Sequence, residues 1–453
     1  MAKQRDLIDR IVRYCGSGLA ESKFDLRPYS DWLKQPRDLA RVSGVYGVTG
    51  EHPSQLEIEN SSVQGSFLLG KCAVKDSVIY CSDLRGDELK CASAKCAADE
   101  ELRVRDSYLY KSLVHSNSHD PENPGDFFIR NSIVMDYANV HGAPIDGCFL
   151  KPFATIDLTS AKNCALGTYS YVQTGKLDGR VVEDGCILIS AKDFQFEYTF
   201  DPAVLRKYVR IEPGGPGGLF IDLLDKIHSE FEALFGSGGC AARSAAPGSF
   251  CHPYALMKGD LAIGGNVFVS QRAYIENSSL GDGSNAQENC CIIGSVLEGN
   301  NVSAHGSKMI RSKLGKGVFT GFNSFVRDAA VGSGCIIAPH TIIDCPDGIE
   351  IPPEHIVWGY VGSGSDLAAN CVPLDGLARG TGEIKSGRMV FRGDGAHFVK
   401  AFRHRIEHIL EGNGAFCSGD RLRGHAQMYQ NISFRALEPR REGELQGFFA
   451  GGI

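Results

Sequence analysis

The feature that most constrains the fold is a seventeen-residue repeat between residues 263 and 343. Within each repeat, an aliphatic or small residue occupies three positions that are six residues apart. The first positions are Ile263, Leu280, Leu297, Leu314 and Val331, the second are Val269, Ala286, Ser303, Thr320 and Ile337, and the third are Ile275, Ile292, Met309, Val326 and Ile343. Each repeat therefore divides into three short sides.

A six-residue spacing differs from the roughly 3.6-residue spacing of an amphipathic helix. It favours an all-β triangular solenoid, in which one side chain per side points inward and glycine or asparagine takes the corner conformations that other residues resist. Successive coils then pair their strands in parallel, about 4.8 Å apart. We expect inward-facing side chains at Val267, Ser284, Cys290, Val318 and Cys335.

This pattern resembles the signature of the hexapeptide-repeat transferases, an aliphatic residue followed by glycine and four further positions. The resemblance implies a left-handed parallel β-helix, an exception to the right-handed crossover rule. It also implies a homotrimer, because members of this family bury one flat face of the solenoid in a threefold interface. Ligand sites are then expected in the clefts between subunits.

A second, less regular segment runs from about residue 60 to residue 195. It contains serine-aliphatic steps such as Ser77-Val78-Ile79, and Phe149 and Leu166 lie seventeen residues apart. The pair Leu166-Gly167 is predicted to open a hexad. The polar, proline-rich stretch 115–126 is predicted to be a loop that projects from the solenoid.

The predicted fold is thus a β-helix in two segments, with an inserted helix and a C-terminal helical extension. Apolar residues at helical spacing predict helices over 219–235 and about 394–412, and the run EPGGPGG at 212–218 is predicted to be a linker. The domain bounds are 1–59 for an N-terminal extension, 60–195 for the first β-helix segment, 196–250 for the linker and inserted helix, 251–362 for the second β-helix segment and 363–453 for the C-terminal extension.

Residues seventeen apart form a column, so Glu288 and His305 should lie about one strand spacing apart. A carboxylate beside an imidazole holds its tautomer and favours the imidazolium, as a general base requires. The resembling acyltransferases use a histidine in this way, with acyl-CoA in the groove between two coils. We expect His305 to act as the base, Glu288 to orient it, and acyl-CoA or an acyl carrier to be the donor.

The first segment repeats part of this arrangement. His141 lies eight residues after Ile133, as His305 lies eight after Leu297, and a glycine follows each histidine. The same count places Asp157 beside His141, which is therefore a second candidate catalytic residue. The candidate substrate-binding residues are His115, Asn117, His119, Asp157 and Asn323.

The segment LGKGVFTGFNSFVRDAAVGSG at 314–334 is similar to the acetyltransferase domain of the bifunctional glucosamine-1-phosphate acetyltransferase and uridylyltransferase. That domain has a catalytic histidine where this chain has Phe322. The similarity covers roughly 263–345, and it implies the fold rather than that activity.

Two other functions stay open. The γ-class carbonic anhydrases hold zinc with three histidines on such a scaffold, and His115, His119 and His141 lie close to one segment here. A non-catalytic scaffold or assembly role is the other alternative. The sequence leaves the metal, the acyl donor and the acceptor undetermined.

The amino-acid composition limits which classes of binding partner are expected. With 47 basic against 54 acidic residues, the formal charge of −7 disfavours nucleic-acid binding. No apolar run has the length of a membrane span or of a secretion signal, so we expect a cytoplasmic protein that acts on a small molecule. The sixteen cysteines contain no CxxC pair and are expected to be reduced and buried.

Overall fold

The computed structural model describes residues 2–19, 29, 32–34, 44–49, 55–86, 101–116, 126–212, 214–237, 246–412, 432–437 and 447–450. The chain divides into two compact units. The first comprises Met1–Cys186, Asp201–Gly238 and Asn431–Ile453, and the second comprises Ile187–Phe200 and Gly239–Gln430. Both consist chiefly of parallel strands stacked in coils, which confirms the predicted β-helix in two segments.

Helices are few. The Asp201 side chain accepts a hydrogen bond from the Ala203 N–H at the start of the helix Pro202–Tyr208. The Ser363 side chain caps the helix Gly364–Asn370 by accepting one from the Asp366 N–H. The predicted inserted helix and C-terminal helix are both confirmed. Within the described residues, the helices with defined bounds are α1 (Ala2–Gly18), α2 (Pro202–Tyr208), α3 (Leu219–Gly236), α4 (Gly364–Asn370), α5 (Leu374–Ala378) and α6 (Gly395–Gly412).

The first unit has three parallel sheets, one for each side of its coils. The first side comprises Gly44–Thr49, Ser66–Leu69, Asp83–Arg85, Leu113–His115, Asn139–His141, Thr155–Asp157 and Tyr171–Gln173. The second comprises Gln55–Glu59, Cys72–Lys75, Leu102–Arg105, Phe127–Arg130, Ile145–Asp146, Ser160–Lys162 and Lys176–Asp178. The third comprises Ser62–Gln64, Val78–Tyr80, Tyr108–Tyr110, Ile133–Val134, Phe149–Leu150, Ala165–Leu166 and Val181–Val182.

Coils in this unit are sixteen residues long where no loop intervenes. Phe149 pairs with Ala165, and Leu166 pairs with Leu150. The predicted seventeen-residue step from Phe149 to Leu166 is therefore wrong by one residue, because Leu166 continues the column of Leu150, whereas Phe149 faces outward and packs with α1. Longer steps also occur, since Cys72 pairs with Leu102, thirty residues on.

Further elements of the first unit lie outside the coils. Strands Ile432–Leu437 and Gly447–Ala450 pair antiparallel with Gly44–Thr49 and Gln55–Glu59. The run predicted as a linker instead forms a small antiparallel hairpin of Arg210–Glu212 and Gly215–Gly217. Helix α1 packs its apolar side chains, Ile8 and Ile11 among them, against outward-facing residues of the third side.

The second unit has a parallel stack whose sides form two sheets. One comprises Phe250–Cys251, Phe268–Val269, Asn285–Ala286, Val302–Ser303, Phe319–Thr320, Ile336–Ile337 and His355–Val357, with Cys371–Pro373 antiparallel at its end. The other comprises Leu256–Lys258, Tyr274–Glu276, Cys291–Ile293, Lys308–Ile310, Phe325–Val331, Ala262–Ile263, Ser279–Leu280, Val296–Leu297, Lys313–Leu314, Ile342–Ile351 and Tyr360–Val361.

The seventeen-residue register of this stack is confirmed. Val302 pairs with Asn285 on one side and with Phe319 on the other. The five side chains predicted to face inward are each at most 1% exposed, and all except Ser284 belong to one apolar cluster. The core is thus a column of small and aliphatic side chains inside the triangle, and the resulting fold is the left-handed β-helix.

An antiparallel sheet completes the second unit. Its strands follow the order Thr381–Ser386, Met389–Asp394, Phe194–Thr199 and Cys186–Ser190. Phe398 of α6 packs against Phe391 and Phe196 of this sheet, with ring centroids 5.4 and 5.9 Å apart. Among the described residues, no helix is long and apolar enough to span a membrane.

Candidate functional site

His305 and Glu288 stand side by side on neighbouring coils of the second unit. Each follows a short strand of the same sheet, and the pairing of those strands brings positions seventeen residues apart together. Nδ1 of His305 lies 2.7 Å from Oε2 of Glu288, and the two side chains are 3% and 0% exposed. This distance is that of an ion pair between an imidazole and a carboxylate when the ring is protonated.

Ser270 supports this carboxylate from the preceding coil. Its hydroxyl lies 2.6 Å from Oε1 of Glu288 and 2.7 Å from Oε1 of Gln271. A hydroxyl has one proton to donate, and a carboxylate is a stronger acceptor than an amide. Ser270 therefore helps to hold Glu288, a role that the sequence did not indicate.

Two larger side chains lie beside His305. The ring of Phe322, the next residue in the column, is centred 5.3 Å from the imidazole. The guanidinium of Arg405, from α6, lies 5.7 Å from the centre of the Phe322 ring. Phe322 and Arg405 thus form a cover next to the imidazole.

A second pair, His141 and Asp157, lies in the first unit. Strand pairing places the two residues directly opposite each other, and Nδ1 of His141 is 2.8 Å from Oδ1 of Asp157. The hydroxyl of Tyr171 donates a hydrogen bond to the other carboxylate oxygen. Asp157 is fully buried, and its carboxylate comes from the coil after the histidine, whereas Glu288 comes from the coil before.

His115 adjoins this second pair. It is paired in register with His141, and the two imidazoles stack with centroids 5.0 Å apart and planes 13° apart. Two imidazoles on adjacent coils, one with its Nδ1 against a carboxylate, could supply two ligands to a metal ion. His115 lies in the strand Leu113–His115, so the prediction that the loop begins at residue 115 is wrong there. The other candidate residues of the predicted loop, Asn117 and His119, lie outside the described residues.

Asn323 lies at a corner beside the backbone of His305. Its N–H donates a 3.0 Å hydrogen bond to the carbonyl of His305, and its own φ is 52°. The residue after His305, Gly306, has φ of 70°, and a Cβ there would stand 2.3 Å from Oδ1 of Asn323. The structure therefore places Asn323 where it shapes the corner that carries His305.

Sequence reasoning also missed Lys308. Its side chain is buried within three residues of His305, and its Nζ donates a hydrogen bond to the carbonyl of Gly306. Burial lowers the pKa of Lys308 to about 7 from an ordinary value of 10.5, although the neighbouring Cys291 and Cys290 thiols oppose this shift. A lysine in an alternating strand is usually solvated, so the sequence alone gave no reason to single it out.

Both histidine–carboxylate pairs have the parts of a general base. A carboxylate at Nδ1 fixes the ring orientation and leaves Nε2 as the atom that takes a proton. Burial of both partners strengthens their attraction by excluding water. Such an arrangement can deprotonate an amine or hydroxyl as it attacks a carbonyl carbon.

Comparisons with known proteins agree with this fold. A family model described as a hexapeptide repeat including loop matches residues 92–213. A crystal structure from Desulfovibrio desulfuricans, of a protein provisionally assigned as an acetyltransferase, is 42% identical. It aligns with a TM-score of 0.87 over 97% of this chain and 96% of that one.

Curated relatives match shorter stretches. The carboxysome assembly protein CcmM of Nostoc is 30% identical over 138 residues, which are 26% of this chain and 24% of the relative. The carbonic anhydrase of Methanosarcina thermophila is 28% identical over 144 residues, 24% of this chain and 58% of the relative. The chain thus spans between about a quarter and three fifths of the curated relatives it matches.

Proposed function

Because the chain belongs to the hexapeptide-repeat transferase superfamily, we propose that it is an acyltransferase with its base at His305. The donor is a thioester of coenzyme A or of an acyl carrier protein, and the acceptor is an amine or hydroxyl of a small molecule. The observation that carries this proposal is the 2.7 Å approach of Nδ1 of His305 to Glu288 inside a buried column.

The proposed reaction uses His305 as the base. The acceptor nitrogen or oxygen attacks the thioester carbonyl carbon while Nε2 of His305 takes its proton. The tetrahedral intermediate then collapses, the carbon–sulfur bond breaks, and the imidazolium returns the proton to the leaving thiolate. Glu288 stabilises the imidazolium and holds the ring, and Ser270 holds Glu288.

Access to the base is part of the proposal. Because the His305 side chain is only 3% exposed, an acceptor reaches Nε2 when neighbouring groups move aside. The cover of Phe322 and Arg405 is the element we expect to shift, since it lies directly beside the imidazole. Return of this cover over the bound acceptor would exclude water from the reacting groups.

A panel of acyl-CoA and acyl-carrier thioesters, tested against amine and hydroxyl acceptors, examines this proposal through release of the free thiol. His305→Ala should lower the rate by roughly 10²- to 10⁴-fold, the contribution of a positioned base. His397→Ala is the matched control, because His397 also pairs with a carboxylate, Asp193 at 2.9 Å, but on an exposed surface. Full activity in His305→Ala, with normal folding, would refute the assignment.

A metal enzyme resembling the γ-class carbonic anhydrases is the second candidate. It is favoured by the stacked imidazoles of His115 and His141, with Asp157 orienting His141 as carboxylates orient metal-binding histidines. Zinc there would polarise a water molecule for attack on carbon dioxide. Loss of one equivalent of zinc and of carbon dioxide hydration in both His115→Ala and His141→Ala, with no acyl transfer by the unmodified protein, would establish this function instead.

A further inference from the structure

Helix α3 lies along a column of corner residues in the first unit. These corners share a left-handed backbone, with φ between 48° and 59°, in Cys81, Lys111, Tyr137, Phe153 and Tyr169. Phe220 of the helix contacts the rings of Phe153 and Tyr169, with centroids 5.6 and 5.5 Å apart. Asp225, further along, pairs with Lys111 at 3.3 Å.

One turn of helix α3 and one coil of the stack rise by similar distances. One helical turn rises about 5.4 Å, and one coil rises about 4.8 Å. As the helix proceeds from Phe220 through Asp225, its contacts move from the later coils to the earlier Lys111 corner. His228, about one turn beyond Asp225, accordingly reaches the preceding corner, which is Cys81.

Three potential metal ligands meet there. The Sγ of Cys81, an imidazole nitrogen of His228 and a carboxylate oxygen of Glu232 all lie within 4.8 Å of one another. His228 and Glu232 are four residues apart on one face of α3, with Nε2 and Oε1 3.2 Å apart. The Cys81 corner is fixed by its N–H, which donates a 2.8 Å hydrogen bond to the carbonyl of Gln64.

The donor set determines which ion fits. One thiolate, one imidazole and one carboxylate form a mixed set that suits zinc, whereas calcium and magnesium prefer oxygen ligands alone. Solvent exposure increases across the three ligands: Cys81 is 7% exposed, and the side chains of His228 and Glu232 are 18% and 40% exposed. Water can therefore complete a four-coordinate site from the solvent side.

We propose that Cys81, His228 and Glu232 bind one zinc ion, which ties helix α3 to the first β-helix stack. On binding, the Cys81 thiol loses its proton to solvent and the sulfur coordinates the metal as thiolate. The ion replaces the direct contact between the imidazole and carboxylate with bonds to both. This site shares no residue with either histidine–carboxylate pair and does not depend on either proposed activity.

Cobalt(II) reports on the ligands directly. We expect the full-length, reduced protein to take up about one equivalent of cobalt with a thiolate-to-metal charge-transfer band in the near ultraviolet, and zinc to displace it. Cys81→Ser should abolish that band, and His228→Ala should weaken cobalt binding. Cys186→Ser is the matched control, since Cys186 is a half-buried cysteine outside this cluster.

Stability provides a second readout. Zinc should raise the melting temperature of the unmodified protein and of Cys186→Ser, but not that of Cys81→Ser, because a ligand that binds only the folded state stabilises it. Equal melting temperatures of the metal-free proteins would show that the serine variant folds. A cobalt spectrum without the charge-transfer band, or one that persists in Cys81→Ser, overturns the proposal. The imidazole pair of the first unit cannot give that band, so His141→Ala should leave it unchanged.

Discussion

The ammonium group of Lys308 is held 2.6 Å from the carbonyl oxygen of Gly306, two residues earlier in the same coil. This is a buried lysine with a folded-state pKa of about 7 and an ordinary value of 10.5. Between these pH values the folded protein binds fewer protons than the unfolded chain, so folding stability rises with pH across that window. Below pH 7 the protein bears the full cost of a buried charge.

Lys308→Met should therefore stabilise the protein most at and below pH 7. The advantage should shrink by about 1.4 kcal/mol for each pH unit above 7, because the unmodified lysine is increasingly neutral when folded. Urea unfolding at pH 6.5, 7.5 and 8.5 measures this difference. Lys313→Met is the control, since the Lys313 side chain is 64% exposed, and an identical pH profile in both variants would contradict the prediction.

Glu288→Gln should lower kcat with little change in KM. The amide keeps the size of the side chain and its contact with Ser270, but it cannot stabilise an imidazolium. We expect a loss on the order of 10²-fold or more, with partial recovery in Glu288→Asp, which restores the charge. Steady-state kinetics of both variants and of Asp157→Asn test this. Equal losses of kcat in Glu288→Gln and Asp157→Asn would mean that the His141–Asp157 pair contributes to the reaction as much as the His305–Glu288 pair does.

Gly306→Ala should be more destabilising than Gly317→Ala. Both glycines have a left-handed backbone, with φ of 70° and 69°, so an added Cβ costs about 1–2 kcal/mol at either position. At Gly306 that Cβ would also meet Oδ1 of Asn323 at 2.3 Å, whereas nothing lies within 4 Å at Gly317. Chemical denaturation measures the excess. Asn323→Ser in the Gly306→Ala background should remove it, and an undiminished excess would place the strain elsewhere.

The protein should sediment as a trimer. A β-helix presents flat faces along its length. In a threefold assembly, each subunit buries one of these faces against its neighbours. Sedimentation velocity at micromolar concentration should give a mass near three times 49.0 kDa. A concentration-independent mass of one chain would contradict this and would remove any basis for a site between subunits.

The second stack could be predicted from sequence because its period is regular. Each side contributes one inward residue at a fixed count, so Leu280, Leu297 and Leu314 reveal the register without any tertiary information. In the first unit, loops lengthen some steps, and the outward-facing Phe149 resembled a coil start that belongs to the neighbouring Leu150. A single apolar pair is too weak a signal to decide between two adjacent registers.

The candidate site was predictable only in part, for the same physical reason. His305 with Glu288 and His141 with Asp157 follow from counting along columns. The burial of Lys308 depends on what covers the outer face of its strand, which no periodicity encodes.

The zinc ligands show a different limit. His228 and Glu232 belong to a helix that follows the whole first stack in sequence, and Cys81 lies near its beginning. No spacing relates them, because their meeting depends on where α3 lies along the column. Their proximity can therefore be recognised only in the three-dimensional structure.

The thirty-residue step from Cys72 to Leu102 shows how such a chain tolerates changes in length. The extra residues enter between sides, and the strands on both flanks keep their partners. A single residue added inside a side would instead turn every following side chain of that strand from the interior to the surface. Insertions between the sides are therefore how a β-helix can acquire new segments, because they leave the number of residues in each side unchanged.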